Sequence, residues 1–467
     1  MRKIRNFDRL TDHGDADSRR LVLAVAERTL ERLDAYNRIK SIMRFDGRTL
    51  TVGTRQWDLD AKRHVYLVGA GKACNAMARA VDEVLGDRLT RGIAIVKVAE
   101  DSDVFHRTEV YVGGHPIPNE EGHRASLAIL DLVDRAGPDD LFIGVVSGGS
   151  SALMSCPITG ITLQDEMDAT DVLLKSGAGI YEVNAVRRHI SQTNGGMLAK
   201  RIAAVGAELI GFGISDAVGS PPTSDIGVPY AAYKSTPFGP DQTTLDDARA
   251  VIRNYDLADR LPRSIVEYLA TVGEEGETPK AFPHNTYFLL NTLPDSCRYA
   301  KEIAEELGVK AVVLTSFLEG ESADAGTFMA ALAREIQAYG NPVTPPVLLL
   351  SSGETTTKIP DNSVVAGHGG PAQELTAAFA IAAAKTAGAC MFSIDSEGTD
   401  GTTPVAGGLT DSRTLAAAKR RGVSLHAALR GHACYEALEQ LGDTVYTGNT
   451  GTNLCDFNLL YVPVVRT

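Results

Sequence analysis

A chain of 467 residues is too long for one ordinary core and, at ~100–200 residues per domain, is expected to fold as two or three. Its 44% hydrophobic and 22% charged residues, with 45 glycines and 20 prolines, are those of a globular protein and exclude a disordered or fibrous one. The net charge of −13, spread without a basic block, excludes nucleic acid as a natural partner because the phosphates would be repelled.

The six cysteines (Cys74, Cys156, Cys297, Cys390, Cys434, Cys455) form no C-x-x-C pair and no zinc spacing, so they read as reduced thiols and point to the cytoplasm. Met1 to Asp8 lacks an apolar signal segment and no run approaches the ~20 residues of a membrane helix, so a soluble protein without a membrane partner is expected.

In chain order, Leu21, Val22, Val25, Ala26, Leu30 and Leu33 recur at helical spacing, which predicts an amphipathic helix from Ser18 to Leu33 with Asp17 or Ser18 as its N-cap. His64 to Val68 reads as a strand, Lys72 to Leu85 as a helix and Gly92 to Lys97 as a second strand, a βαβ unit of a parallel sheet. The same order of strand, small-residue turn and helix returns at Leu141 to Val146 and at Leu209 to Ile214. These runs, apolar on both faces, suit a sheet covered by helices on both sides. Gly219 to Thr244, rich in Pro, Gly, Ser and Tyr, reads as a long loop of the kind that forms lids or binding segments. A second domain is expected to begin near Thr278 to Pro283, ahead of a strand at Thr286 to Leu290. Further strands are expected at Lys310 to Thr315, Val347 to Leu350, Cys390 to Ile394 and Leu459 to Val462, between Ala-rich helices.

Small-residue turns close four of the apolar runs: Gly69-Ala70-Gly71-Lys72, Ser147-Gly148-Gly149-Ser150-Ser151, Ser351-Ser352-Gly353-Glu354 and Thr447 to Thr452. Such turns present backbone N–H groups and hydroxyls at the carboxyl ends of strands, where open α/β sheets bind anions. The first is a plain tight turn or an incomplete dinucleotide fingerprint, because Asn75 stands where G-x-G-x-x-G wants its third glycine, and it is not a P-loop. Lys72, placed in the first turn of its helix against the dipole, is either a solvated lysine or a cation directed at a ligand. Ser147 to Ser151 is either an anion nest or a flexible turn. Asp216, Glu354 and Asp400 stand at turn positions as caps, magnesium ligands or general bases. The ten histidines show no H-x-x-x-H zinc spacing; His115 and the Arg187-Arg188-His189 run are the basic positions to keep.

Taken in order, these segments resemble the class II glycerate 2-kinase family, whose C-terminal portion is the MOFRL domain and some of whose members are labelled hydroxypyruvate reductase. The motifs are Val68 to Ala73, Gly114-His115-Pro116, Val146 to Leu153, Asn184 to His189, Ser215-Asp216, Gly353 to Thr356, Gly369-Gly370, Gln373-Glu374, Asp400-Gly401 and Thr450 to Asn453. The resemblance implies a larger N-terminal α/β domain (1–282) with a doubly wound, Rossmann-like parallel sheet, a smaller C-terminal α/β domain (283–467), and an active site in the cleft between them. It implies transfer of the ATP γ-phosphoryl group, with Mg²⁺ or another divalent cation, to the 2-hydroxyl of D-glycerate or a related sugar acid. On that reading Lys72, Asp216 and Glu354 are catalytic. Gly71, His115, Ser147, Gly148, Gly149, Ser150, Ser151, Asn184, Arg187, Thr450 and Asn453 bind substrate or phosphate, and Asp216, Glu354 and Asp400 hold the metal. A homodimer is the expected assembly.

The chain departs from the family at polar motifs. The usual Arg-Asn-Gln-Glu run, whose arginine is regarded as catalytic, is here Pro371-Ala372-Gln373-Glu374, and Ser220-Pro221-Pro222 replaces an Asp-Asp-Pro. Asn194 stands for a common lysine, Ser352 for a glycine and Asn449 for a proline. His368 and Lys358 are the cations that stand near enough in sequence to replace the arginine. The alternative functions are an NAD(P)-linked hydroxypyruvate reductase and a catalytically altered sugar-acid or nucleotide binding protein.

Overall fold

The computed structural model describes every residue except 1, 100–103, 224, 230–236, 283–285, 360–364 and 466–467. Part of the expected loop at 219–244, and residue 283 of the expected domain boundary, therefore lie outside the described residues.

Strands β1 (Met43–Phe45), β2 (Thr49–Val52) and β3 (Arg55–Asp58) form a small antiparallel sheet that the sequence reading did not contain. The first large sheet holds β4 (His64–Ala70), β5 (Arg91–Val96), β6 (Thr108–Val112), β7 (Asp140–Val146), β8 (Glu208–Ser215) and β9 (Thr286–Thr292) in the order β6-β5-β4-β7-β8-β9. Strands β4 to β8 pair in parallel, and β4, β5, β7 and β8 are buried on both faces, as their doubly apolar sequences imply. β9 was expected to open the second domain and instead extends this sheet. The reason is steric: a β-carbon on Gly213 of β8 would lie 1.6 Å from the Tyr287 hydroxyl, so the glycine leaves the space that the Tyr287 ring of β9 fills.

The second large sheet contains β10 (Ala311–Glu321), β11 (Val347–Thr356), β12 (Cys390–Asp395), β13 (Gly407–Asp411), β14 (Thr444–Val445) and β15 (Asp456–Val462), ordered β10-β11-β15-β12-β13-β14. Only β10 and β11 are parallel; the other pairs are antiparallel. β11 runs on through Thr356, so Ser351 to Glu354 is the end of a strand and not a turn after it.

The chain divides into two compact units, neither of them continuous: Arg38–Ile214 with Ser224–Leu290, and Met1–Asn37 with Ser215–Thr223 and Asn291–Thr467. A single cut at 282/283 does not describe this. The amphipathic helix Ala16–Leu33, capped by Asp15 and not by the expected Asp17 or Ser18, buries Val22, Leu23, Val25, Ala26 and Leu30 in one core with Cys297, Leu348, Phe392 and Leu459. Thr223 is held to the same unit because its N–H and hydroxyl donate to the buried Asp295 carboxylate. None of the six cysteines is in a disulfide, and among the described residues no helix is long and apolar enough to cross a membrane.

Arg19, fully buried on that helix, donates to Asp411, to Asp443 at 2.8 Å and to the Leu10 carbonyl at 3.2 Å. Removing one member of such a buried network leaves uncompensated charges behind, at a cost of about 3–5 kcal/mol. Arg19→Met is accordingly expected to lower the urea midpoint by that amount of unfolding free energy; a variant within about 1 kcal/mol of the parent would show that the network does not anchor the N-terminal helix.

Candidate functional site

In the unit formed by 38–214 and 224–290, β4 and β7 lie side by side with Ala70 opposite Val146, so their turns meet. A β-carbon on Gly71, whose φ is +145°, would sit 2.2 Å from Ser147 Oγ; only glycine permits this approach. The contact is then used for hydrogen bonds: Lys72 N donates to the Gly148 carbonyl at 2.9 Å and Ala73 N to Ser147 Oγ at 2.9 Å. Because these two N–H groups are engaged across the turn, the helix begins at Cys74, and Lys72 lies in the turn and not in the first helical turn as expected.

The second turn has the opposite character. Among the described residues, the consecutive N–H groups of Gly148, Gly149, Ser150 and Ser151 reach no acceptor, and neither do the Ser150 and Ser151 hydroxyls. A β-carbon on Gly149 (φ +83°) would lie 3.0 Å from His115 Cδ2 and 3.2 Å from Lys72 Cγ, so Lys72, His115 and this turn are brought together. Four adjacent donors beside an imidazole and a lysine have the form of a turn that can receive an anion. Asn75, buried, uses its amide to donate to the Val98 carbonyl at 3.1 Å, so the position of the third fingerprint glycine is filled by a structural side chain.

Arg187 and Asn184 stand three residues apart on the helix Ile180–His189, on one face. The neighbouring Arg188 is paired with Asp241 at 3.1 Å and His189 with Glu277 at 3.0 Å, so both are structural. Arg187 is only 8% exposed, and its Nε and Nη2 have no hydrogen-bond partner. Burial pulls its guanidinium below the ordinary arginine range, opposed by the attraction of Glu166. Glu166 is itself pushed up by burial and accepts from the Ser155 hydroxyl, just beyond the nest in sequence. A buried guanidinium with unpaired donors is unfavourable unless an anion completes it.

The other unit carries the carboxylates. Glu354 is exposed near the end of β11 and Asp216 is half-buried after β8. Antiparallel pairing sets Asp456 of β15 opposite both Gly353 of β11 and Asp395 of β12. Asp456, which the sequence reading missed because one carboxylate at the start of an apolar strand carries no pattern, accepts from Thr355 N at 2.8 Å and Thr355 Oγ1 at 2.6 Å. Burial, then the nearby Asp400 and Glu354, push its carboxyl up to about 7. The Cys455 thiol is raised well above its ordinary value by burial and by Asp216, Glu354, Asp395 and Asp456, so it is no nucleophile.

Asp400 has a structural task. Its carboxylate accepts from Ala372 N at 3.2 Å and from Gln373 N and Nε2 at 2.9 and 2.8 Å, closing the N-terminus of the helix Pro371–Ala382. Burial raises it to about 6 against these bonds. Among the described residues no group of three or more His, Cys, Asp or Glu side chains stands ready to hold a metal ion. Thr450 and Asn453 are buried in the β14–β15 connection, where the Thr450 hydroxyl donates to the Ser396 carbonyl and the Asn453 amide to Glu397 at 3.3 Å. His368 is exposed and paired with Glu436 at 2.8 Å, and Lys358 is exposed, its N–H donating to Glu321.

Asp456 makes the unit's stability depend on pH. Its carboxyl holds its proton to about pH 7 when folded but releases it near pH ~4 when unfolded, so its stabilisation is complete at low pH and is lost as the pH rises through about 7. The melting temperature of metal-free Asp456→Asn, relative to the parent, is expected to climb between pH 5 and pH 8 by at least the ~2–4 °C that 1 kcal/mol represents. A difference constant across that range would refute the raised carboxyl.

A family described as a domain of unknown function, DUF4147, matches residues 21–270, and the MOFRL family matches 347–456. The chain is 35% identical over 441 residues to a Pyrococcus horikoshii protein named glycerate 2-kinase, covering 94% of this chain and 96% of that one. It is 34% identical to a Thermotoga maritima D-glycerate 2-kinase, over 84% and 89% of the two chains. An Agrobacterium vitis relative, 34% identical over 85% and 86%, is named putative hydroxypyruvate reductase. The crystal structure of a Thermotoga maritima glycerate kinase superposes with a TM-score of 0.77 at 29% identity, over 96% of this chain and 100% of that one. With both domains matched in order and relatives aligned along most of its length, the chain belongs to the class II glycerate kinase family.

Proposed function

We propose that this protein is a phosphotransferase that moves the terminal phosphoryl group of a nucleotide, ATP, to a hydroxyl of D-glycerate or a similar small hydroxy acid. The observation that carries the reading is the run of four unpaired N–H groups from Gly148 to Ser151 beside Lys72 and His115, in a chain whose relatives are named glycerate kinases. In the transfer the acceptor oxygen bonds to phosphorus, the bond from phosphorus to the nucleotide's bridging oxygen breaks, and the hydroxyl proton leaves. Such a reaction asks the protein mainly to position its partners and neutralise charge.

The residues divide accordingly. The Gly148 to Ser151 donors and Lys72 take an anionic group, and Arg187, with Asn184 on the same face, takes a second. Asp216 and Glu354 orient the acceptor hydroxyl or receive its proton. A divalent cation such as Mg²⁺ that arrives on nucleotide phosphates needs only one or two protein carboxylates, and the exposed Glu354 and half-buried Asp216 would hold it. The cation supplies charge neutralisation. Pro371 has no charged side chain to offer, and His368 is already paired with Glu436, so Lys72 and Arg187 are the principal cations in this reading.

An ADP-release assay with Mg²⁺-ATP and a panel of hydroxy acids tests it. Turnover on D-glycerate or a close analogue is expected, falling at least ~10²-fold in Lys72→Ala and in Arg187→Met, the order seen when a charge-stabilising donor is removed. No turnover on any acid by a folded protein, or full activity in Lys72→Ala, would contradict the proposal. NADH oxidation with hydroxypyruvate in the same preparation would favour the reductase name.

A further inference from the structure

We propose that a second anion site, separate from the residues assigned above, lies in the cavity along the helix Thr414–Arg420 and binds a small multivalent anion of the phosphate class. The cavity has a volume of about 300 Å³, and its walls include Arg19, Arg413, Arg420, Arg421, His13 and Asp443. Four guanidinium groups around one space are unusual in a chain of net charge −13.

The acids nearby are already engaged. Asp443 accepts from Arg19 Nη1 at 2.8 Å and pairs with His13 Nε2 at 2.8 Å, and Asp411 beneath it takes Arg19 Nε and the backbone N–H groups of Asp15 and Arg413. Thr414 Oγ1 is bonded to Arg19 and to the Asp411 N–H, so the floor is satisfied internally. The rim is not. Arg413 gives one N–H to the Gly14 carbonyl at 3.2 Å and stands 3.8 Å from Asp15. Arg420 reaches no hydrogen bond or ion pair among the described residues. Arg421 donates only Nη1, to the neutral carbonyls of Gln440 and Leu441.

A plain structural account covers only part of this. Arg421 at the end of the helix Cys434–Leu441, and Arg420 at the end of its own helix, complement helix dipoles. Arg413 is the N-cap of Thr414–Arg420, where a cation opposes the dipole, and it is seven residues from Arg420, two turns along one helix face. Guanidinium groups gathered in this way, with donors still unpaired, match phosphate oxygens in forked geometry. The volume suits a phosphate or pyrophosphate group and is too small for a peptide.

Pyrophosphate is the probe, followed by isothermal titration calorimetry on the full chain. One class of binding is expected to weaken at least tenfold in R413Q/R420Q and to be unchanged in Lys72→Ala. If R413Q/R420Q binds as the parent does, or if the only class observed is the one weakened by Lys72→Ala, the second site does not exist. Because Arg413 and Arg420 are exposed, ligand-free melting should be unaltered; should the double variant melt lower, R420Q alone decides, with at least a threefold loss expected and an unchanged affinity refuting the site.

Discussion

The parallel register of β4 against β7 determines where the turns that follow these two strands meet. With Ala70 opposite Val146, both strands end at one level and their turns must pass within contact distance. Gly71 makes that possible by having no side chain, and Ser147 makes it cohesive by accepting from Ala73 N. The remaining features follow from this contact. The helix after β4 is delayed to Cys74, Lys72 stays in the turn, and the donors from Gly148 to Ser151 have no partner in their own backbone. Four unpaired N–H groups are a deficit that folding alone does not repair, and a ligand does.

The second unit solves a different problem with antiparallel strands. β11, β15 and β12, side by side within the sheet, set Asp456 opposite Asp395 and opposite Gly353, next to Glu354 in sequence, with Asp400 close enough to raise Asp456 electrostatically. Burial keeps Asp456 and Asp400 protonated well above the usual carboxylate range, which limits the negative charge that accumulates there. Glu354 is exposed and Asp216 and Asp395 are half-buried, while Asp400 closes a helix.

Much of this was legible in the sequence, for identifiable reasons. Parallel strands buried on both faces are near-continuous apolar runs, so His64 to Val68, Leu141 to Val146 and Leu209 to Ile214 could be found by hydrophobicity alone. The short β1 to β3 sheet and the brief β14 carry too few residues to show a period. Domain membership was hidden because it depends on which core receives an amphipathic face: nothing local in Ala16–Leu33 says that Phe392 and Leu459 will cover it. The same limit applies to the site. Gly71 and the serine-glycine turn announced themselves by composition, whereas Asp456 acquires its character only from strands distant in sequence, and Asp400 turned out to be a cap because its neighbours are the N–H groups of Pro371–Ala382. The motifs shared with the glycerate kinases name the candidate residues, but not which of the basic trio is unpaired; that required the partners of Arg188 and His189.

In the proposed reaction the Gly148 to Ser151 turn receives the anion of a ligand. The most direct test is an amide nitrogen–proton correlation spectrum of the protein, titrated with 2-phosphoglycerate and separately with Mg²⁺-ATP. The account predicts that the Gly148, Gly149, Ser150 and Ser151 amide protons move downfield with at least one of these ligands as they gain charge-assisted hydrogen bonds. If those four resonances stay in place while ligand binding is saturated, the turn is not the anion site and the account fails.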